Sequence, residues 1–512
     1  MTDQLLFQGA DWDFPALQRI YDACEEVALG ELGLDVYPNQ IEVITAEQML
    51  DAYSSVGMPL YYKHWSFGKH FAFQEASYRK GLMGLAYEIV INSSPCISYL
   101  MEENTAAMQT LVTAHAAFGH NHFFKNNYLF KQWTDADGIL DYLEFAKRYV
   151  THCEERHGRR QVEQTLDAAH ALMSHGIDRY PGKKKLDLRA EEKRAGRRRL
   201  HEEGTFNDLW RTVPTGPIKS DVLLNVERRQ ALLGLPQENL LYFLEKTAPR
   251  LAPWQRELLR IVRHIAQYFY PQSQTKVMNE GTATYVHYRI MKRLHEQGRL
   301  SDGNFLEFLQ SHTNVVYQPD FDNRHFSGFN PYALGFAMMQ DIERIVTNPE
   351  AEDREWFPDI AGSGDVMGVL RGVWKDYRDE SFISQFLSPR LIRHFRMFHL
   401  HDDPEESAGI KVDAIHDERG YRRVRRELAR QYDVGFIDAN IEVVDVDLAG
   451  DRRLMLRHAV LKGAQLSEAD AKRVLQHLAD LWSYDVSLVE VDQAGTTLKE
   501  YVTHPRKLAA AA

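Results

Sequence analysis

Up to about residue 400, apolar side chains recur every three or four positions, a period that predicts helices. Leu17, Ile20, Tyr21 and Cys24 share a stripe, with Ala28 one turn on. After a turn at Pro38-Asn39, Ile41 to Tyr53 repeats the rhythm. Helices are predicted around Glu75 to Glu88, from Thr105 to Phe118, and again from Leu223 onward. Trp254, Leu258, Ile261, Val262, Ile265, Tyr268 and Phe269 make one apolar stripe, which Pro271 is expected to end because proline lacks an N–H and crowds the preceding turn. Further helices fit Lys276 to Glu296, Asp302 to Thr313, Tyr332 to Thr347 and Pro389 to Phe398, with Ser388 as N-cap of the last.

The period changes after His401-Asp402-Asp403-Pro404. Asn440 to Leu448 alternates, with Val444, Val446 and Leu448 on one face, and a turn at 449–451 leads into RRLMLRHAVL, a hairpin signal. Ser467 and Asp470 then cap a helix carrying Val474, Leu475, Leu478, Leu481 and Trp482, and Val486 to Val491 predicts another strand. The reading is a mainly α protein: a large helical body over 1–404 and a small α/β domain over 405–512.

Two stretches break the pattern. Gly57 to Phe73, GMPLYYKHWSFGKHFAF, is too rich in Gly, Pro and aromatics for a surface helix and reads as a packed, irregular segment. Lys183 to Arg199 is basic and poor in large apolar groups; it reads as a solvated loop, with an acidic partner or RNA as the alternative. The 512 residues are 44% hydrophobic and 26% charged, with a net charge of −12 that gives no pull toward nucleic acid or an anionic membrane. The three cysteines, Cys24, Cys96 and Cys153, form no CxxC pair, which fits a reducing compartment. No signal peptide and no membrane span are expected, so the expected location is the cytoplasm.

Candidate chemistry concentrates in two segments. In HAAFGHNHFFKNN, His115 follows Met108, Leu111 and Val112 on the apolar face, so it points inward. Gly119 is expected to end or kink the helix, which would let His120 swing back toward His115, with His122 on the same side. The spacing is one residue longer than the His-x-x-x-His of a metal helix, and Ala116 stands where a zinc protease helix has its catalytic Glu. In VMNEGTATYVHYRIM, Glu280 and His287 lie two turns apart with Thr284 between them, and Gly281 to Thr284 form a small-residue patch that admits a close neighbour. A carboxylate and an imidazole on one buried face need pairing or a metal. Taken together, His115, His120, Glu280 and His287 can supply an N/O site for zinc or iron; the alternative is a set of packed, hydrogen-bonded groups. His64 and Trp65 could wall a substrate cleft with Asn279 and Thr284. His399 and His401 with Asp402 and Asp403 form a weaker metal candidate that more readily closes a helix. No GxGxxG behind a strand, GxSxG, kinase set or HExxH is present.

PNQIEVIT, DAYSSVGMP, HWSFGK, GHNHFFKNNYLF, QYFYPQ, QTKVMNEGTAT, VHY, NPYALGF and FHLHDD together resemble the stage V sporulation protein R (SpoVR) family. The family's second motif is Asn-Glu-Gly-Trp-Ala-Thr followed by an aromatic and His-Tyr; Thr282 replaces the Trp, while Glu280, Gly281, Ala283, Thr284, His287 and Tyr288 match. His122 is commonly a small polar residue in that family, which removes it from the ligand set. The resemblance implies a link to the spore cortex or, in bacteria that form no spores, to stationary-phase physiology beside a PrkA-type serine/threonine kinase and a small partner protein. Glu-Gly-x-Ala is also similar to the third-ligand helix of some zinc metallopeptidases, which implies a zincin-like core. Two functions are expected from this: a metal-dependent hydrolase acting on a peptide or cell-wall precursor, with Glu88 or Glu103 as general base, and an adaptor of the kinase complex that docks through its C-terminal domain and basic loop.

Overall fold

The computed structural model describes residues 5–54, 62, 64–65, 88–179, 233–320, 323–324, 326–397, 399–402, 410–413, 418–448, 450–461 and 465–506. The basic stretch 183–199, the predicted helix over 75–87, most of 57–73 and residues 223–232 lie outside them.

The chain is mainly helical and divides into two compact units, residues 1–148 with 270–433 and residues 149–269 with 434–512. This division differs from the expected 1–404 and 405–512. Glu418–Gln431 belongs with the first unit because its Val424, Leu428 and Ala429 are buried in that unit's core. The segment 149–269 joins the C-terminal part, where helix Arg159–Ala171 packs against helix Glu468–Trp482.

In the first unit, helix Phe14–Glu25 starts at Asp13, whose carboxylate accepts from Ala16 N–H at 2.7 Å. The helical rhythm expected from Ile41 resolves into strand β1 (Asn39–Ile44) followed by helix Ala46–Ser54. β1 runs parallel to β3 (Cys96–Met101), which pairs antiparallel with β2 (Glu88–Ile91), giving the order β1-β3-β2. Glu88, expected to close a helix, therefore opens a strand. Helix Pro253–Gln274, whose residues up to Phe269 belong to the second unit, continues through Pro271 for most of a turn instead of stopping there. Helix Lys276–Glu296 runs over the residues expected, and Pro331–Thr347 lies alongside it. Ser388 caps Pro389–His394 as expected, accepting from Leu391 N–H at 3.1 Å. His399–Asp402 forms β4, paired with β5 (Ile410–Asp413), and does not close a helix.

In the second unit, β6 (Ile441–Val446), β7 (Leu454–Ala459), β8 (Val486–Val491) and β9 (Thr497–Thr503) form one sheet in that order. A bulge between Val443 and Asp445 shifts the expected alternation, so Val443 and Val446 are the buried pair. No helix among the described residues is long and apolar enough to cross a membrane.

Candidate metal centre

Thr105 caps helix Ala106–Thr113, accepting from Met108 N–H at 3.2 Å. Gly119 does not end the helical path. The backbone widens into a π turn, Ala114–His120, and returns to α winding at Asn121–Asn126. Residues five apart in an α-helix point about 140° from one another, at about 100° per residue. In a π turn, bonded from i to i+5, they come nearly into line. The extra residue between His115 and His120 is thus taken up by the winding, and the two rings meet edge to face with centroids 4.6 Å apart.

Two glycines bring the facing helices in. A Cβ on Gly119 would meet the Cα of Ala283 at 2.6 Å, and a Cβ on Gly281 would meet the Cα of Gly335 at 2.6 Å. Helix Lys276–Glu296 is therefore held at backbone contact by the π turn and by Pro331–Thr347. Its first turn is fixed by buried Asp379, which accepts from Val277 and Met278 N–H, each at 2.8 Å.

This packing places Glu280 beside both histidines. Its Oε2 lies 3.5 Å from His120 Nε2 and 3.9 Å from His115 Nε2. The three donors lie within 4.8 Å of one another and are the one His/Cys/Asp/Glu group among the described residues placed to share an ion. Ligands about 2.1 Å from a tetrahedral zinc stand about 3.4 Å apart, so the spacing fits after a small contraction. His115 Nε2 and Glu280 Oε2 are buried with no hydrogen-bond partner. Buried polar atoms are normally paired, and an ion between these two would pair both.

The other ring nitrogens are engaged behind the site. His120 Nδ1 is 2.9 Å from Asn279 Oδ1, so Nδ1 carries the proton and Nε2 presents a lone pair. His115 Nδ1 is 2.9 Å from His287 Nδ1, and His287 Nε2 is 2.9 Å from His312 Nδ1. His287, expected as a ligand, thus stands behind His115 with both nitrogens occupied. Asn279, expected in a substrate cleft, orients His120. Thr284 is buried with its hydroxyl unpartnered. His64 is buried and Trp65 half exposed, with rings 5.6 Å apart, but most of the segment around them, and with it the expected cleft wall, lies outside the described residues.

Of the two carboxylates named as bases, Glu103 is elsewhere, accepting from Ala46 N–H at the start of a helix. Glu88 is at the site, its Oε1 3.8 Å from His115 Nε2. Burial raises Glu88 above its ordinary value, His115 draws it down, and Glu280 adds to the rise. Burial also pushes Glu280 up, but His115, His120 and a hydrogen bond from Tyr332 outweigh it and leave Glu280 below its ordinary value. The two carboxyls are driven apart, one toward the anion and one toward the acid. Burial, and then His115, lower His120 to about 4, so it is a neutral imidazole at neutral pH.

The rest of the motif serves as a clamp. Asn121 exchanges hydrogen bonds with Tyr37, Lys125 holds Asp35 and Val36, and Asn127 donates to the carbonyls of Trp374 and Tyr377. His122 bonds the Asp35 backbone at 3.0 Å, away from the ligands. Sequence reasoning missed Tyr332 and His312. The second was detectable as a histidine in the helical stripe Phe305, Phe308, Leu309, His312. A cavity of about 470 Å³ lies elsewhere along helix Lys276–Glu296, bordered by Glu31, Tyr288, Arg289, Arg293 and Glu343.

The molecule is thus a mainly helical protein with a buried two-histidine, one-carboxylate cluster. The SpoVR like protein family matches residues 11–437 and the SpoVR-like C-terminal domain matches 439–493; the chain belongs to the SpoVR family. It is 52% identical over 491 residues to the protein YcgB of Escherichia coli (strain K12), covering 96% of this chain and 95% of that protein. No solved structure matches it.

Proposed function

We propose that the first unit is a metal-dependent hydrolase domain in which His115 Nε2, His120 Nε2 and the Glu280 carboxylate hold one zinc or iron ion. The observation that carries this reading is the pair of buried, unpartnered atoms, His115 Nε2 and Glu280 Oε2, turned toward the same space as His120 Nε2. Two imidazoles and one carboxylate are a donor set that suits either metal, and three protein ligands leave a position open for a reactant. The ion would supply Lewis acidity there.

In this reading Glu88 is the acid–base group that HExxH helices carry beside their first histidine. It comes from the start of β2 and not from the ligand helix, and its raised affinity for a proton suits it to pass one to a leaving group. Tyr332 steadies the Glu280 carboxylate through its hydrogen bond. The substrate class that agrees with the donor set and the family resemblance is an amide of a peptide or cell-wall precursor, handled in the cytoplasm.

The test is metal content of the purified full chain by mass spectrometry. About one zinc or iron per chain, lost in His115→Ala and in Glu280→Ala but retained in Glu88→Gln, is the expected result. A folded chain with no bound metal after zinc or iron loading overturns it.

A further inference from the structure

His115, His287 and His312 form a line of three buried rings joined by two hydrogen bonds, Nδ1 to Nδ1 and Nε2 to Nδ1, both 2.9 Å. A neutral imidazole has one N–H and one lone pair. His287 uses both nitrogens, so it must donate through one and accept through the other. The two bonds therefore point the same way along the line, and only two settings exist. In the outward setting His115 Nδ1–H donates to His287, His287 Nε2–H donates to His312, and His115 Nε2 is left as a lone pair facing Glu280. In the inward setting His312 donates to His287, His287 donates to His115, and His115 Nε2 carries a hydrogen aimed at Glu280 and Glu88.

We infer that His287 and His312 are positioning residues forming a two-setting relay, whose outward setting makes His115 a metal ligand and whose inward setting makes it a hydrogen-bond donor to the site's carboxylates. This rests on His115 being a ligand. The carboxylates 3.8 and 3.9 Å from His115 Nε2 favour the inward setting when no cation is present, and a cation favours the outward one. Reversal requires only that one proton on each ring change nitrogen; no ring gains or loses charge. His312 is the pivot because its Nδ1 is the sole terminus that can accept from His287 in the outward setting. Supporting groups that fix the tautomer of a ligand commonly change metal affinity 10–100-fold.

The test combines Zn²⁺ affinity, by competition with a chelator, with ¹⁵N spectra of the histidine rings in the full chain. His312→Phe fills the space without accepting; His312→Gln restores an acceptor. The expected results are Zn²⁺ binding about 10–100-fold weaker in His312→Phe, most of it recovered in His312→Gln, and a His287 ring protonated on Nε2 in the zinc-loaded wild type. Equal affinity of the two variants, or a zinc-loaded His287 protonated on Nδ1, overturns the relay while leaving the metal reading intact. A wild-type chain that takes up no Zn²⁺ overturns both.

Discussion

A methyl group placed on Gly119 would lie 2.6 Å from the Cα of Ala283, which is backbone and cannot rotate away. The two ligand-bearing segments therefore touch main chain to main chain, and the reach of Glu280 to the histidines depends on that contact. Gly119→Ala is expected to destabilise the protein by about 1–3 kcal/mol, as overpacking in a closed core does, and to lower metal content with it. Gly372→Ala, in a helix with open space around the added carbon, should instead stabilise by about 0.5–1 kcal/mol. Urea unfolding midpoints of the two variants, compared with wild type, check both signs.

His122 separates position in the motif from position at the site. It is buried beside His120 in sequence yet bonded to the Asp35 backbone. His122→Ala should keep the metal and lose stability, whereas His120→Ala should lose the metal. Elemental analysis beside thermal melting distinguishes the two; loss of metal from a folded His122→Ala protein would contradict the assignment.

Burial holds His120, His122, His175 and His312 at about 4 in the folded chain, against about 6.5 when unfolded. Between those values the unfolded chain binds more protons at these rings, so their contribution to stability rises with pH from about 4 to 6.5 and is lost on acidification through that window. Asp379, pushed up to about 7 by burial against its backbone hydrogen bonds, and the raised carboxyls of Glu88 and Asp438 oppose them, while His287, His458 and His477, also lowered by burial, add to them. The metal-free protein should therefore lose unfolding free energy steeply below pH 6.5. His122→Gln should flatten that slope by up to one proton. Denaturation curves at a series of pH values measure it directly.

Asp379 anchors the start of the helix that carries Glu280. Removing its carboxylate in Asp379→Ala leaves the Val277 and Met278 N–H groups buried without acceptors, at a cost of about 1–3 kcal/mol for each stranded group. Asp379→Asn keeps one acceptor oxygen and should cost less. Hydrogen exchange at Val277 and Met278, faster in Asp379→Ala than in Asp379→Asn, would locate the loosening at this helix end.

Although Pro389–His394 stops short of the expected Phe398, its Ser388-capped start and helix Lys276–Glu296 were legible without tertiary information. Ile41 to Tyr53 was not, because a strand and a helix share that rhythm and the strand exists only through its parallel pairing with residues 96–101. At the site, His120 was expected to reach His115 through a break at Gly119, whereas a π turn brings it there; His115 and Glu280 were legible as polar groups on buried helix faces. The role of His287 was not: a shared helix face with Glu280 says nothing about His312, which approaches from another helix. Glu88 emerged only by region, since its nearness to His115 is made by a strand 27 positions away in the chain.

The π turn has a consequence for chain length. Were Ala117 deleted, Ala114 to His120 could wind as an ordinary α-helix, leaving two histidines four apart. The seven residues of the π turn sweep about the angle that six sweep in an α-helix, so Asn121 to Asn127 would keep nearly the bearing they have now. Asn121 would stay at Tyr37, Lys125 at Asp35 and Asn127 at Trp374. The surplus residue is thus absorbed within the turn: it widens the backbone between the two histidines and leaves the clamp beyond it in place. What the turn cannot give up is Gly119, where an added carbon would strike Ala283, while the count of residues between His115 and His120 is taken up by the winding.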